Sequence, residues 1–150
     1  MKVLVFHIGH DRYGLRLAAI VRVLPLLELK HLPLVPDYVA GLMDLHGTSV
    51  PVIDLSCLAG LAPAALQVDT RIVVVDYHAP DGGHVLGLMA SRVRGIAEID
   101  TGRLGESGVA TAPFLGQVAS DADGMLQLIE LEQLLSPEVR ALLFPHGSAP

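Results

Sequence analysis

The apolar residues of this chain fall into short runs, each closed by a turn signal. KVLVFHI ends at Gly9-His10-Asp11 and RYGLRL follows, which predicts an opening hairpin. AAIVRVLPLLELKHLPLVP is dense in Leu and Val, yet Pro25, Pro33 and Pro36 break it too often for a long helix. GLMDL and SVPVIDL are two strands joined at His46-Gly47-Thr48. The residues from Asp54 to Leu61 have room for one helical turn, and APAALQVD reads as a linker. RIVVVDY then runs to a turn at Asp81-Gly82-Gly83, with HVLGLMASRVRGIAEI as the return strand. A polar loop, TGRLGESGVATAP, precedes a last hairpin, GQVAS–DADG–MLQLIEL. Helical spacing appears only at the end, at Leu131, Leu134 and Leu135, with Pro137 opening a second helical stretch and HGSAP expected to fray.

About ten short strands with hairpin turns predict an all-β protein, a barrel or a sandwich. Its two strand-rich halves, on either side of APAALQVD, are each the size of a small barrel. One strand breaks the pattern. SVPVIDL carries Pro51 and Asp54 among residues that want burial, and proline has no amide hydrogen for a sheet. Pro51 is therefore expected on an edge strand or at a bulge, where another chain can sit.

Composition narrows the function. The chain has 150 residues, enough for one domain with a sizeable core. Hydrophobic residues make up 51%, but no run approaches the ~18 residues of a membrane helix, so the apolar excess belongs to a strand-rich core or to partners. The start, MKVLVFHIGHD, is too short in apolar residues for a secretory signal, and a cytoplasmic protein is expected. Net charge is −6 with the basic residues scattered, which argues against nucleic acid; no amphipathic basic helix argues for membrane insertion.

Candidate chemistry is sparse. The histidines (His7, His10, His31, His46, His78, His84 and His146) are dispersed without metal-ligand spacing, so no metal or other cofactor is expected. Cys57 lacks the histidine and cationic neighbours of a catalytic thiol and reads as a small hydrophobe. Asp54 stands where a helix cap belongs. Gly87 marks either the approach of a foreign backbone or a tight bend in a strand. The glycines of TGRLGESG lack the Lys-Ser/Thr of a phosphate loop. No catalytic set is legible.

The order of motifs, FHIGHDRYGLRL, IVRVLP, LPLVPDYVAGLMDLHGTSVPVIDL, TRIVVVDY with VLGLMASRVRGI, and GQVAS with GMLQLIELEQLL, resembles the CheW family of chemotaxis coupling proteins. The match runs from about residue 4 to 135, with G-x-x-x-L-x-G-x-x-x-P-V-I-D-L its most specific part. The resemblance implies a single domain over residues 1–150 built as two intertwined five-stranded antiparallel barrels with a short C-terminal helix. The barrels are expected at roughly 12–68 and 69–136, the second completed by strand 2–8, with a helical end and frayed tail at 137–150. It implies a non-catalytic cytoplasmic adaptor, recruited to receptor arrays at the inner face of the membrane. There it would dock a CheA-type histidine kinase onto the cytoplasmic tips of chemoreceptors. Carried over by position, Ile20, Arg22, Gly87, Val93 and Ile96 would meet the receptor in a shallow groove between the barrels. Leu32, Val35, Pro36, Gly41 and His46 would face the kinase, whose own barrel domain would flank Pro51.

Three departures stand out. The family usually has Asn-Leu-Arg-Gly where this chain has Asp44-Leu45-His46-Gly47; an acid is common at Arg22; and Ala90-Ser91 replaces Val-Asp. The altered hairpin and short N-terminus resemble auxiliary coupling proteins of surface-sensing, Wsp-like pathways. A rival reading, a small β-barrel binding a small ligand or a metal, rests on the scattered histidines and Cys57.

Overall fold

A computed structural model describes residues 1–64, 69–79, 82–109 and 111–145. The HGSAP tail, the middle of the APAALQVD segment and Asp81 of the expected turn lie outside the described residues. Nine strands hold about half of the described residues: β1 (Lys2–Ile8), β2 (Asp11–Arg16), β3 (Ile20–Leu24), β4 (Val39–Leu45), β5 (Thr48–Asp54), β6 (Arg71–Ala79), β7 (Gly82–Glu98), β8 (Leu115–Asp121) and β9 (Gly124–Ile129). Helix α1 (Leu55–Leu58) is one turn, and α2 (Pro137–Leu143) begins at the proline that the sequence marks.

The strands form two groups of five that share β7. In one, the order is β3-β6-β7-β5-β4; in the other, β7-β1-β2-β9-β8. β7 serves both because it is long, 17 residues, and bends: its register against β1 slips between Val5↔Gly95 and His7↔Ser91. Arg92 and Gly95, both at positive φ, lie in that slip.

Each group wraps its own core. Met43, Val50, Val52, Ile72, Val74 and Met89 fill the first. Val3, Val5, Ile99, Ala119, Leu126 and Leu128 fill the second. The largest cluster lies between the groups, where Leu4, Phe6 and Ile8 of β1 meet Val73, Val75 and Tyr77 of β6. Successive side chains of a strand point to opposite faces, so β1 and β6 each feed a barrel interior with one face and the central core with the other. Burial on both faces explains why VLVF and IVVV read as unbroken apolar runs rather than an alternation. α2 closes the central core: Ser136 Oγ accepts the Val139 amide at 3.3 Å, Val139 is buried, and Phe144 stacks on Tyr77 and His84.

Three expectations need correction. Strand pairing does not divide the chain at residues 68 and 69: β2 joins the second group, while β6 and the first part of β7 join the first. The pairing is also not wholly antiparallel, since β5–β7 and β2–β9 are parallel. Such pairs need a long crossover, supplied here by α1 and β6 in one case and by most of the chain in the other. Finally, β5 is no edge strand, for it pairs with both β4 and β7.

Pro51 is tolerated there for a local reason. Leu42, opposite Pro51, spends both its amide and its carbonyl on Lys30, at 2.8–2.9 Å. Pro51 therefore sits in a non-hydrogen-bonded pair, its ring nitrogen turned from β4 towards β7. Pairing with β7 starts only one residue later, at Val52↔Gly87. The missing N–H breaks no ladder bond.

Asp54 is the cap that its position suggested, and more. Its buried carboxylate accepts the amides of Ser56 at 3.0 Å and Cys57 at 3.4 Å on one oxygen, and Ala64 at 2.9 Å on the other. The expected linker thus begins as part of the first barrel.

Two substitutions test this frame by urea unfolding. Gly41 has φ +149° and a methyl added there would lie 2.5 Å from the Lys30 carbonyl oxygen, so Gly41→Ala should lose about 2–3 kcal/mol. Asp54→Ala should lose about 2 kcal/mol, because the Ala64 amide is left buried without an acceptor. Wild-type midpoints in either variant would contradict the Lys30–β4 contact or the Asp54 cap.

Candidate functional site

The ten positions carried over from the family pattern divide by direction. In the receptor set, Arg22 on β3 and Ile96 on β7 face outward, Ile96 with 61% of its surface exposed. Ile20 and Val93 are half-buried and pack against the central core. Gly87 is wholly interior: a methyl there would lie 3.0 Å from Val52 Cγ2 and 3.2 Å from Ile72 Cγ2. The space at Gly87 is closed by side chains of this chain, not by a foreign backbone.

In the kinase set, Leu32 and Val35 are half-buried against the central core, and the Pro36 carbonyl accepts the Val39 amide at 3.0 Å. Gly41 is buried beneath Lys30 and offers no surface. His46 alone of this set is exposed. It occupies the two-residue turn between β4 and β5 with Gly47, at φ of 51° and 86°, the double positive φ of a type I′ hairpin. Asp44 Oδ1 accepts the Gly47 amide at 2.8 Å and fixes that turn.

The structure brings together one residue from each set. Arg22 Nη1 lies 2.9 Å from His46 Nε2. A guanidinium only donates, so the imidazole accepts with an unprotonated Nε2 and carries its proton on Nδ1. The contact joins β3, one end of the first group's strand order, to the turn that follows β4, the other end. These are two of the three places where the sequence departs from the family pattern.

Around Ile96 the surface is a shallow hollow of about 310 Å³ lined by His7, Arg12, Arg94 and Asp123 beside Val5 and Ala97. Arg12 is held by Asp121 through paired bonds of 2.9 and 3.1 Å, and this hydrogen bond keeps the Asp121 carboxyl below its ordinary range. Arg94 pairs with Asp69 at 3.4 Å. The hollow is thus an exposed apolar residue framed by charges with fixed positions.

Sequence reasoning missed three features. β3 carries a bulge, since Ile20 pairs with Val75 and Arg22 with the adjacent Val74, and Val21 and Val23 stay 52% and 42% exposed. A cleft of about 780 Å³ opens between α1, the end of β6 and α2, over Leu58, Phe114 and Leu135, with His78 and Arg140 among its lining. Leu34, between Pro33 and Val35, is 97% exposed. The Pro-Leu-Val-Pro stretch was the available signal for Leu34; the bulge and the cleft left none in the local pattern.

Three of the histidines on which the rival reading rests are engaged elsewhere. His7 Nδ1 lies 3.5 Å from the Arg92 carbonyl, His84 stacks on Phe144 with ring centres 4.2 Å apart, and His46 holds Arg22. Among the described residues, no three His, Cys, Asp or Glu side chains converge. Burial, with Asp54 beside it, pushes the Cys57 thiol up, away from the thiolate that a nucleophile requires. No helix among the described residues is long and apolar enough to cross a membrane.

Comparison with known proteins agrees with this geometry. The CheW-like domain model matches residues 2–139. A Chemotaxis protein CheW of Klebsiella aerogenes is 24% identical over 144 residues, covering 93% of this chain and 84% of that protein. A Chemotaxis protein CheW of Helicobacter pylori is 23% identical over 133 residues, covering 89% and 80%. Among solved structures, the scaffolding protein TtCheW from Thermoanaerobacter tengcongensis superposes with a TM-score of 0.81 at 26% identity, over 92% of this chain and 89% of that one. The chain belongs to the CheW-like domain family.

Proposed function

We propose that this protein is a non-catalytic adaptor that couples chemoreceptors to a CheA-type histidine kinase in a chemosensory array at the inner face of the membrane. The observation that carries the reading is the family match across nearly the whole chain, on a fold with the same strand architecture as a scaffolding protein. The surface supports it. Two barrels joined by a shared core give a rigid body with two distinct outward regions, one at Ile96 and one at the Arg22–His46 contact.

Receptor recognition is assigned to Ile96 with its charged frame, and partner choice to the Arg22–His46 contact. Exposed apolar anchors contribute most of an interface's affinity, while rim charges set which partner is accepted. Val93 and Ile20 are partly buried and pack against the central core.

Ile96→Asp should fold as the wild type does, by circular dichroism, and bind the receptor tip at least about tenfold more weakly in titration. Val93→Asp places a carboxylate against the central core and should instead lower the thermal midpoint. Arg22→Glu should weaken the native receptor or kinase contact, and Arg22→Glu with His46→Arg should not recover it, because the cation then lies in the turn and the field that the partner reads is reversed. Unchanged receptor binding by folded Ile96→Asp would remove Ile96 from the interface.

A further inference from the structure

The cleft between α1, the end of β6 and α2 measures about 780 Å³, the size of a small-molecule site, and the adaptor reading makes no use of it. Its floor is the outer surface of the central core. Phe114, Leu134 and Leu135 are buried members of that core, and Leu58 and the ring of Tyr38 pack against it half-buried. The cleft lies outside both barrels, whose interiors are occupied by side chains such as Val52, Ile72 and Leu126. It is therefore not the barrel site of the rival reading.

Its polar lining lacks an acceptor. Arg140 on α2 is half-buried, yet among the described residues its guanidinium has no carboxylate and no hydrogen bond. Arg12, Arg16, Arg94 and Arg103 each pair with a carboxylate, at 2.9–3.8 Å. α2 itself offers Arg140 no acid, for the residues one turn away are Ser136, Pro137, Leu143 and Phe144. The Tyr38 hydroxyl is also without a hydrogen bond among the described residues, and burial pushes its pKa up, which keeps it protonated as a donor. Two donors without acceptors thus line one apolar cleft.

We propose that this cleft binds a small amphipathic carboxylate, with its tail on Phe114 and Leu135 and its carboxylate on Arg140, the Tyr38 hydroxyl serving as second donor. A guanidinium fork meets a carboxylate through two parallel charge-assisted bonds, and apolar surroundings strengthen them. Glu132, exposed in the same lining, opposes an anion. It selects a singly charged acid over a phosphate, whose second charge it would repel. The inference does not depend on the adaptor reading, and neither falls with the other.

The test adds octanoate to the intact protein, with octylammonium and octan-1-ol as controls of equal chain length, and follows side-chain signals by two-dimensional NMR. Octanoate should saturate, move the signals of Leu58, Phe114 and Leu135, and bind at least about fivefold more tightly than octan-1-ol, while octylammonium should not saturate. Arg140→Gln should weaken octanoate at least about fivefold, Arg140→Lys less, and Glu132→Gln should strengthen it, all without change in the thermal midpoint of the free protein. Absence of saturation, or shifts confined to residues away from the cleft, removes the site. Equal binding of octanoate and octan-1-ol shows a merely apolar cleft and overturns the carboxylate assignment, as does tighter binding of octylammonium, which would give the charge contact to Glu132. Undiminished binding by folded Arg140→Gln removes Arg140 from the site. Should Arg140→Gln fail to fold, the octan-1-ol comparison and Glu132→Gln decide: no preference for the acid and no gain on removing Glu132 end the proposal.

Discussion

Every other feature of this molecule is constrained by the double burial of β1 and β6. Each strand has a barrel interior on one side and the shared core on the other. Over Val3–Phe6 and Ile72–Val75 neither face carries an exposed side chain, and a polar side chain there would lose water without gaining a partner. A one-residue slip would exchange the two cores, so register is fixed as well. Exposed side chains are left to what lies outside the double layer: the edge strand β3, the β4–β5 turn, the Lys30–Asp37 loop and the far end of β7, which carry Arg22, His46, Leu34 and Ile96.

The same constraint decides what the sequence could disclose. Strand positions and hairpins are local properties, and the KVLVFHI–RYGLRL and GLMDL–SVPVIDL pairs lie where the turn residues place them. The partners of β5 and β2 on their other sides are not local. β5 beside β7 and β2 beside β9 are set by how two cores close at once, and no spacing in SVPVIDL or RYGLRL encodes a neighbour so remote in the chain. Pro51 misled for a related reason. Its lack of an amide hydrogen pointed to an edge, yet a non-hydrogen-bonded position next to the start of a parallel ladder satisfies the same requirement inside a sheet.

Position in a family pattern identifies which stretch matters, but not which way a side chain points. Gly41 and Gly87 occupy pattern positions because the backbone of Lys30 and the side chains of Val52 and Ile72 come too close for any larger residue. Leu32 and Val35 point inward, and that is what leaves Leu34 pointing outward. An i, i+3 pair of buried residues around a proline-bounded leucine is a pattern that sequence alone displays, but its direction follows only once the loop is tied to β4 through Lys30.

The Arg22–His46 contact links these levels. Both groups are exposed, and an exposed pair of this kind adds roughly 0–1 kcal/mol at most to folding. Stability is therefore a poor reason for the residues found there. The family pattern has an acid on the strand and an arginine in the turn; this chain has the arginine on the strand and an imidazole in the turn. The two departures touch each other, so the second answers the first: an arginine kept at position 46 would face the guanidinium of Arg22 with like charge, whereas an imidazole can accept its hydrogen bond. The contact between the edges of the barrel is kept while the cation moves from the turn to β3. A partner that reads this surface by charge meets a different field over the same scaffold, and specificity changes without any change in the two cores that fix the fold.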